Sequence, residues 1–476
     1  MPGEAVVLAL DVGTSSAKGA LYTRTGVQVS LTSREYPVAR PAPGFAEQRP
    51  EDYAEAARAI TRRLLQAGHP VAAVGFSTQT PTLVCCDAAG RPVFPAILWQ
   101  DSRAGEEARW LLEHVDASVR RQWFGLDLPI GAAAAPAKLL WMPRHVPEIW
   151  RAVRWVMQPK DFVAAQLTGR FTTDHWCAKG LAHFPSGVAR PEWLELIEKA
   201  ESPCPEVCYP HAVNGAVTRD AAAAWGLRAG TIVTVGWSDA LAGILATQAL
   251  HETGRGFVLG GTSEIVGVSR TGGPQAPGLF LTPPEVLPVR NLELHYGPTQ
   301  AGGSCLEWAA SLFSMSVEQA LAALPAGLCD IVFRPYLEGE RAPFWDHTLK
   351  ASFDGLRTGH RMPDLLHAVL QGVALHERLV LERAGCAPGA AVVLAGGAAR
   401  HPGWNQLRAD ILQRRILVMQ DAEASLRGAA LLAWSAAGAI DLAQPPDAWF
   451  AAREILPDPS CASKSEELYQ RFCLNL

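Results

Sequence analysis

Residues 8–19 read LALDVGTSSAKG, and this stretch decides the fold class. An apolar run leads to Asp11, a turn of small residues follows at Gly13-Thr14-Ser15, and Lys18 stands just beyond it. The pattern predicts a strand, a tight turn and a second strand. The first strand therefore carries a carboxylate near its tip, and the loop after it is too small to bury anything.

Such a turn is suited to hold a phosphate group. Small residues allow close approach, so that backbone N–H groups of Gly13, Thr14 and Ser15 can point at phosphate oxygens. The hydroxyls of Thr14 and Ser15 add donors, and Lys18 can neutralise charge. Asp11 supplies the oxygen ligand that a hydrated Mg²⁺ prefers. The alternative is a plain β-hairpin in which Asp and Ser make turn hydrogen bonds.

The second half of the chain repeats this theme. Residues 256–269 read GFVLGGTSEIVGVS and centre on Gly261-Thr262-Ser263, without a matching aspartate. At 476 residues the chain exceeds what one core usually fills. We therefore predict an α/β protein of two related domains, 1–250 and 251–476, although chance similarity of two hairpins is the alternative. Further expected elements are strands at 6–10, 17–22, 27–32, 71–76 and 82–86, and a helix at 50–66.

Composition limits the function classes. A net charge of −5 without a dense Lys/Arg cluster argues against a nucleic-acid partner. The sequence contains no run of about 18 apolar residues, which would predict a membrane span, and no recognisable signal peptide. We therefore expect a cytoplasmic protein. The ten cysteines show no disulfide framework and are expected to be free thiols. Cys204, Cys208 and His211 supply only three zinc ligands, which disfavours a structural zinc site.

Asp239 is a candidate general base. The apolar run 232–236 leads directly into Trp237-Ser238-Asp239, and ligands of α/β proteins usually bind at the carboxyl ends of strands. A carboxylate there can accept a proton from an attacking hydroxyl. The local sequence favours a helix N-cap for Asp239, and the two roles are compatible.

Two further regions are candidates for binding. The strand-like run 391–395 ends in Gly396-Gly397, where a flat ring or a phosphate can lie against backbone, although a tight turn explains the pair equally well. Neither G-x-x-x-x-G-K-[ST] nor G-x-G-x-x-G occurs, which excludes the usual P-loop and Rossmann signatures. Polar residues at the ends of apolar runs suggest a sugar pocket lined by Gln79, Trp99, Gln100, Asp101 and Arg103.

Taken together, these segments resemble the FGGY family of carbohydrate kinases in order along nearly the whole chain. The matching segments are Asp11–Lys18 (DVGTSSAK), 43–48 (PGFAEQ), 96–103 (AILWQDSR), 236–239 (GWSD), 260–263 (GGTS), 302–308 (GGSCLEW), 336–343 (YLEGERAP) and 396–399 (GGAA).

The resemblance implies the two-domain actin/hexokinase/Hsp70-type ATPase fold, built of ribonuclease H-like domains with a closing cleft between them. It implies ATP- and Mg²⁺-dependent phosphorylation of a sugar hydroxyl. Asp239 would be the general base, and Asp11 would organise Mg²⁺ directly or through water. Thr14 and Thr262 would contact phosphates, with Gly261 in the second loop. The adenosine site would be lined by Gly303, Gly397 and His401.

Within the family, the pattern resembles most the kinases that act on xylulose, and next those that act on gluconate. The expected reaction is D-xylulose to D-xylulose 5-phosphate. Xylulose kinases usually carry Gln-Met-His-Gly where this chain has Gln79-Thr80-Pro81-Thr82, and Asp-Asn where it has Asp239-Ala240. The substrate-binding residues implied by position are Gln79, Thr80, Pro81, Trp99, Asp239 and Ala240. Loss of polar partners for sugar hydroxyls puts the acceptor in question.

Other hypotheses remain open. Inside the kinase class the acceptor is alternatively gluconate, another pentulose or a polyol. Outside it, the chain would be a non-catalytic sugar or nucleotide sensor, or a chaperone-like or filament-forming ATPase of the same fold. The sequence does not fix the oligomeric state, and a homodimer is one candidate.

Overall fold

The computed structural model of the chain describes residues 4–289 and 292–474. It divides into two compact units: unit 1 runs to Ala242 and resumes over Ser425–Trp449, and unit 2 consists of Gly243–Ala424 and the residues from Phe450 onward.

Strands and helices alternate along the described residues, as an α/β protein requires. The strands are β1 (Val6–Val12), β2 (Ser16–Thr23), β3 (Gln28–Glu35), β4 (Glu47–Gln48), β5 (Val71–Thr78), β6 (Val84–Cys86), β7 (Ala96–Ile97), β8 (Trp155–Met157), β9 (Thr172–Asp174), β10 (Glu206–Cys208), β11 (Val213–Ala216), β12 (Ile232–Thr234), β13 (Trp237–Ser238), β14 (Gly256–Gly260), β15 (Glu264–Arg270), β16 (Phe280–Thr282), β17 (Glu293–Pro298), β18 (Val332–Arg334), β19 (Ser352–Asp354), β20 (Val392–Ala395), β21 (Ile416–Met419) and β22 (Ala452–Ile455). The α-helices are α1 (Pro50–Leu65), α2 (Gly105–His114), α3 (Ala117–Phe124), α4 (Ala135–His145), α5 (Pro147–Ala152), α6 (Pro159–Thr168), α7 (Pro191–Leu196), α8 (Arg219–Trp225), α9 (Asp239–Ala246), α10 (Gly303–Leu312), α11 (Val317–Ala322), α12 (Met362–Arg383), α13 (Pro402–Leu412), α14 (Ala424–Ala436) and α15 (Ala462–Cys473). Short 3₁₀ helices lie at Ala249–His251, Pro284–Val286, Gly397–Arg400, Asp447–Phe450 and Pro459–Cys461.

The main sheet of unit 1 has the order β11-β12-β5-β1-β2-β3, and β13 also pairs with β5. β1 is parallel to β5 and antiparallel to β2. Its residues are nearly all buried because both faces of a central strand are covered, which explains the unbroken apolar run in the sequence.

Helix α1 shows how the sheet of unit 1 is covered. Pro50 stands in its first turn with acidic residues, basic residues stand in its last turn, and its apolar face is buried. The helix approaches β2 so closely that a Cβ at Gly19 would lie 2.4 Å from Cγ2 of Ile60. A glycine is therefore required where α1 crosses the sheet.

The main sheet of unit 2 has the order β16-β17-β15-β14-β20-β21-β22. The hairpin of β14 and β15 stands beside the parallel strand β20, as the hairpin of β1 and β2 stands beside β5. The long helix α12 is buried in the apolar core of this unit. The expected α/β fold with two related hairpins is confirmed.

The observed elements extend most predicted ones by a few residues. The strands expected at 6–10, 17–22 and 27–32 are Val6–Val12, Ser16–Thr23 and Gln28–Glu35. The units separate after Ala242, close to the boundary placed at 250, but Ser425–Trp449 returns to unit 1.

Two general observations complete the fold. No helix within residues 4–289 and 292–474 is both long and apolar enough to cross a membrane. The ten cysteines are free thiols.

Candidate active site

The turn between β1 and β2 is held in place through its carbonyl groups. The Gly13 N–H donates to Ser16 O at 3.1 Å, which closes the turn, and the Tyr36 N–H donates to Ser15 O at 3.1 Å. The Tyr36 hydroxyl donates to Gly13 O at 2.6 Å. A Cβ at Gly13 would lie 2.9 Å from Ser16 O, so the turn needs a glycine.

Two buried glutamines extend this support. Nε2 of Gln48 donates to Thr14 O at 2.6 Å, and Nε2 of Gln79 donates to Gly13 O at 3.1 Å. The Tyr53 hydroxyl fixes Gln48 by donating to its Oε1 at 2.8 Å. The sequence pattern gave Gln48 no role, although Gln48 ends the segment 43–48 (PGFAEQ) and lies in strand β4.

The turn therefore presents donors and no acceptors on its open side. Among the described residues, the N–H groups of Thr14 and Ser15 meet no acceptor, while the carbonyls of Gly13, Thr14 and Ser15 are all occupied. Adjacent free N–H groups form an anion-binding concavity. Of the three N–H groups expected there, that of Gly13 is used inside the turn.

The Thr14 hydroxyl is also engaged within the protein. It donates to Oε1 of Gln79 at 3.0 Å and accepts from Nε1 of Trp99 at 2.9 Å. The structure thus brings Thr14, which is expected to bind phosphate, together with Gln79 and Trp99, which are expected to bind the sugar.

Asp11 and Lys18 lie on the strands that carry this turn. The antiparallel register places Lys18 directly opposite Asp11, and the parallel register places Ser77 beside it. The Ser77 hydroxyl donates to Oδ1 of Asp11 at 2.8 Å. Both ionisable side chains are half-buried, so a charged ligand can reach them.

Asp239 stands at the same edge of the sheet. Trp237 is in register with Ser77, which is itself in register with Asp11, and Asp239 follows two residues after Trp237. Burial, and then the charge of Asp11, raise the pKa of Asp239 to about 7, against the opposing effect of the Ala240 N–H.

The alternative role of Asp239 as a helix cap is filled by its neighbour. The Ser238 hydroxyl accepts from the Leu241 N–H at 3.3 Å at the start of α9. Oδ1 of Asp239 accepts the N–H of Ala240 at 2.7 Å, and apart from the N–H groups of Ala240 and of Asp239 itself, nothing within residues 4–289 and 292–474 donates to this carboxylate. The carboxylate thus keeps a lone pair available to accept a proton.

A buried ion cluster fixes the backbone before Asp239. Nζ of Lys160 lies 2.6 Å from Oδ1 of Asp161 and 3.0 Å from Oδ2 of Asp174, and it donates to Val235 O at 3.1 Å. Burial lowers the pKa of Lys160, but the two carboxylates outweigh it and the net direction is upward. The sequence signal was present as charged residues inside apolar segments, and it was missed.

The polar cluster at 99–103 separates into two parts. Asp101 and Arg103 are not available to a sugar, because Arg103 donates to both oxygens of Asp101 at 2.9 and 2.7 Å and to Glu47 at 2.6 Å. This corrects their expected role: the pair is buried and joins segment 43–48 to the strand end. Gln100 is exposed and accepts from Arg40 at 3.2 Å.

Trp99, Thr80, Pro81 and Ala240 are half-buried, and Gln79 is buried. The peptide bond between Thr80 and Pro81 is cis.

The second small-residue turn, in unit 2, is also closed by the N–H of its first glycine and also has its carbonyls occupied. The Gly261 N–H donates to Ser263 O at 3.0 Å, and the carbonyls of Gly261 and Thr262 accept N–H groups of Gly303 and Ser304 at 2.8 and 2.9 Å. A Cβ at Gly303 would lie 2.7 Å from Gly261 O. Thr262 is exposed, so the turn presents its side chain and its N–H outward.

A buried carboxylate supports this turn from below. Nη2 of Arg408 lies 2.5 Å from Oε1 of Glu264, and its Nε lies 2.8 Å from Oε1 of Glu377. Burial and the neighbouring Glu377 raise the pKa of Glu264 well above its ordinary value. Glu340 accepts the N–H groups of Gln300 and Ala301, which lead into α10.

The glycine pair after β20 lies beside the same turn. Gly396 has φ of +88°, and a Cβ there would lie 2.4 Å from Gly260 O. Gly397 is exposed, with nothing within 4 Å of an added Cβ. His401 precedes α13 and is half-buried, and burial followed by the charge of Arg408 lowers its pKa.

Comparison with known proteins gives a consistent result. The model of the FGGY family of carbohydrate kinases, N-terminal domain, matches residues 6–246, and that of the C-terminal domain matches residues 256–437.

Individual relatives cover most of the chain. The xylulose kinase of Escherichia coli (strain K12) is 32% identical over 85% of this chain and 84% of its own. That of Lactococcus lactis subsp. lactis (strain IL1403) is 26% identical over 98% and 95%. The gluconokinase of Bacillus subtilis (strain 168) is 26% identical over 91% and 88%.

Solved structures agree in fold. The xylulose kinase from Rhodospirillum rubrum superposes with a TM-score of 0.85 at 29% identity, covering 98% of this chain and 97% of that one. The gluconate kinase from Lactobacillus acidophilus superposes with a TM-score of 0.88 at 24% identity, covering 99% and 97%.

Proposed function

The chain belongs to the FGGY family of carbohydrate kinases, and from that premise we propose that it transfers the γ-phosphoryl group of ATP to D-xylulose, giving D-xylulose 5-phosphate. The observation that carries a transfer reaction is the state of Asp239. Among the described residues, its carboxyl group accepts only the N–H groups of Ala240 and of Asp239 itself, and its pKa is raised to about 7, at the sheet edge that also carries Asp11 and the first turn.

In the proposed reaction a sugar hydroxyl approaches Asp239. The hydroxyl oxygen forms a bond to the γ-phosphorus as the bond to the β,γ-bridging oxygen breaks, ADP leaves, and the hydroxyl proton passes to Oδ2 of Asp239. A base with a pKa near the working pH suits this transfer. The N–H groups of Thr14 and Ser15 bind phosphoryl oxygens, where fixed donors stabilise developing charge.

We assign the nucleotide's remaining contacts to unit 2. Thr262 lies on a turn whose carbonyls are occupied, so its N–H and side chain are the groups left for a phosphate. Gly397 is exposed, and an added Cβ there would meet no atom within 4 Å, which suits contact with a flat ring; His401 lies close by in sequence. Gly303 acts through Gly261, whose carbonyl its N–H holds.

Mg²⁺ is the expected companion of ATP, and Asp11 is the residue that would hold it, directly or through water. No three His, Cys, Asp or Glu side chains of the described residues are grouped for a metal ion. One carboxylate nevertheless fits an ion that takes most of its ligands from waters and phosphates. The charge of Asp11 also raises the pKa of Asp239, and a bound cation would offset that excess negative charge.

Gluconate is the second candidate acceptor, because the Bacillus subtilis gluconokinase matches most of the chain. The side chains of Pro81 and Ala240 offer no hydrogen bond to a sugar, so the choice between the two acceptors follows the curated relatives.

The test is a coupled assay of ADP release with Mg-ATP across D-xylulose, D-ribulose, gluconate, glycerol and several polyols. Strong stimulation by D-xylulose alone supports the proposal, and stimulation by gluconate instead favours the second candidate. If no acceptor stimulates ADP release although calorimetry detects ATP binding, the transfer function is abandoned.

A further inference from the structure

Two side chains expected at the sugar have their polar atoms committed elsewhere. The only indole donor of Trp99 is directed at the Thr14 hydroxyl, 2.9 Å away. The amide of Gln79 accepts from the same hydroxyl at 3.0 Å and donates to Gly13 O at 3.1 Å. The Trp99 N–H cannot bond a sugar hydroxyl without releasing Thr14, whereas Oε1 of Gln79 keeps one lone pair beyond its bond to Thr14.

The hydroxyl of Thr14 is likewise committed. A hydroxyl has one proton and two lone pairs, and here the proton points to Gln79 while one lone pair receives the Trp99 N–H. Its proton is therefore not offered to a phosphate oxygen. The groups of the turn that remain for phosphate are the N–H groups of Thr14 and Ser15.

We propose that Trp99 and Gln79 are positioning residues for the first phosphate turn, acting through the Thr14 hydroxyl. The inference rests on the proposed function, since it assumes that this turn binds the transferred phosphoryl group. Trp99 follows β7 and Gln79 follows β5, so the bonds tie the turn to two strands that it does not itself join. Fixing the hydroxyl fixes the peptide units on either side of it, and with them the two free N–H groups.

The arrangement also connects the acceptor to the phosphate. The Trp99 ring is half-buried, so part of it stays open to an apolar face of the acceptor while its N–H holds Thr14. A well-seated acceptor thereby stabilises the geometry of the turn. If Trp99 or Gln79 instead bonded the sugar directly, its loss would mainly raise the KM for the acceptor and leave kcat nearly unchanged.

The test is Trp99→Phe, which deletes the N–H and keeps an aromatic ring. We expect kcat to fall about tenfold, the size of one lost hydrogen bond that positions a reacting group, with acceptor KM within twofold of wild type. Trp110→Phe is the matched control, because Trp110 stacks on His114 in α2 and touches no part of this network.

A double-variant cycle decides whether the bond is the cause. If the Trp99 N–H acts through Thr14, the combination of Trp99→Phe with Thr14→Val should lower kcat no further than Thr14→Val alone. The proposal is overturned if the reductions in kcat caused by Trp99→Phe and Thr14→Val multiply in the double variant. It is also overturned if Trp99→Phe raises the KM for the acceptor without changing kcat.

A readout without turnover separates this inference from the proposed function. The same cycle is measured on the urea midpoint of unfolding, where a bond between the two side chains makes the shifts non-additive. If no acceptor stimulates ADP release, the phosphoryl-transfer function fails; additive midpoint shifts contradict the positioning role independently.

Discussion

The carboxyl group of Asp239 is placed under two opposing influences. Its buried surroundings and the charge of Asp11 raise its pKa to about 7, whereas the Ala240 N–H favours the ionised form. The carboxyl group can act as a base only when it is ionised, but the buried ionised form destabilises the folded protein. Removing the charge should therefore lower turnover and raise the stability of the folded protein.

Asp239→Asn removes this charge. We expect turnover to fall by about 10²–10⁴-fold, the usual contribution of a positioned base, while ATP binding by calorimetry persists. Asn retains an oxygen for the Ala240 N–H, so the helix start is preserved. Near-wild-type turnover would remove Asp239 from the role of base.

The same variant should be more stable than wild type above pH 7. A folded pKa raised above the unfolded value means that the wild type loses stability as pH rises from about 4 to about 7. Asn does not titrate, so the difference in unfolding free energy between Asp239→Asn and wild type should shrink toward pH 4 and below. Urea unfolding at pH 4 and pH 8 measures it, and equal differences at both values would contradict the assigned pKa.

The pH profile of the reaction follows from the same group. Only the ionised carboxylate accepts a proton, so kcat/KM for the acceptor should rise tenfold per pH unit below the pKa of Asp239 and level off above it. That pKa is about 7 without a cation, and Mg²⁺ held by Asp11 would lower it. The measurement uses saturating Mg-ATP and a coupling system verified at each pH. A profile already flat between pH 5 and 8 would exclude a base with a raised pKa.

At the level of single elements, each Gly-Thr-Ser turn depends on neighbouring segments whose donors occupy its carbonyls. In unit 1 the side chains of Tyr36, Gln48 and Gln79 and the N–H of Tyr36 do this, and in unit 2 the first N–H groups of α10 do. The sequence predicted both turns from Gly-Thr-Ser but not their supports. The group that occupies a carbonyl comes from a segment far away in sequence, such as Gln48 for Thr14. The local sequence pattern around the turn does not indicate which distant segment packs against it.

Gly303→Ala probes the support in unit 2. The new Cβ would lie 2.7 Å from Gly261 O, which is backbone, so α10 or the turn must shift. We expect KM for ATP to rise severalfold or kcat to fall, with acceptor KM nearly unchanged. Gly359→Ala is the control, because nothing lies within 4 Å of an added Cβ there. An effect on acceptor KM alone would mean that α10 does not support a phosphate site.

At the scale of the whole molecule, the alternation of strands and helices and the repeated hairpin predicted the fold class and its two halves. They did not predict that Ser425–Trp449 returns to unit 1. Helix α14 is apolar nearly all round, as a buried helix is, and such a pattern does not say which sheet will bury it. Nor did composition distinguish Asp101 and Arg103 as a buried pair from a sugar-binding pair.

The returning segment is built closely into unit 1. A Cβ at Gly75, in the central strand β5, would lie 2.1 Å from Ala429 O. Nη1 of Arg427 donates to Gly26 O at 2.9 Å, and Nε1 of Trp434 donates to Thr23 O at 3.0 Å. One face of the sheet is therefore covered by residues that a boundary at 250 assigns to the other domain.

This geometry predicts how fragments of the chain behave. A fragment of residues 1–250 should expose the apolar face around β5 and lack a cooperative unfolding transition, whereas the same fragment joined by a flexible linker to residues 425–449 should regain one. Urea unfolding followed by far-UV circular dichroism compares the two. A third fragment carries the linker and Arg427→Met, which leaves the carbonyls of Gly26 and Trp449 without their donor; its midpoint should lie below that of the linked fragment. If residues 1–250 alone unfold as cooperatively as the linked fragment, the returning segment is dispensable, and a single boundary would describe the folding units correctly.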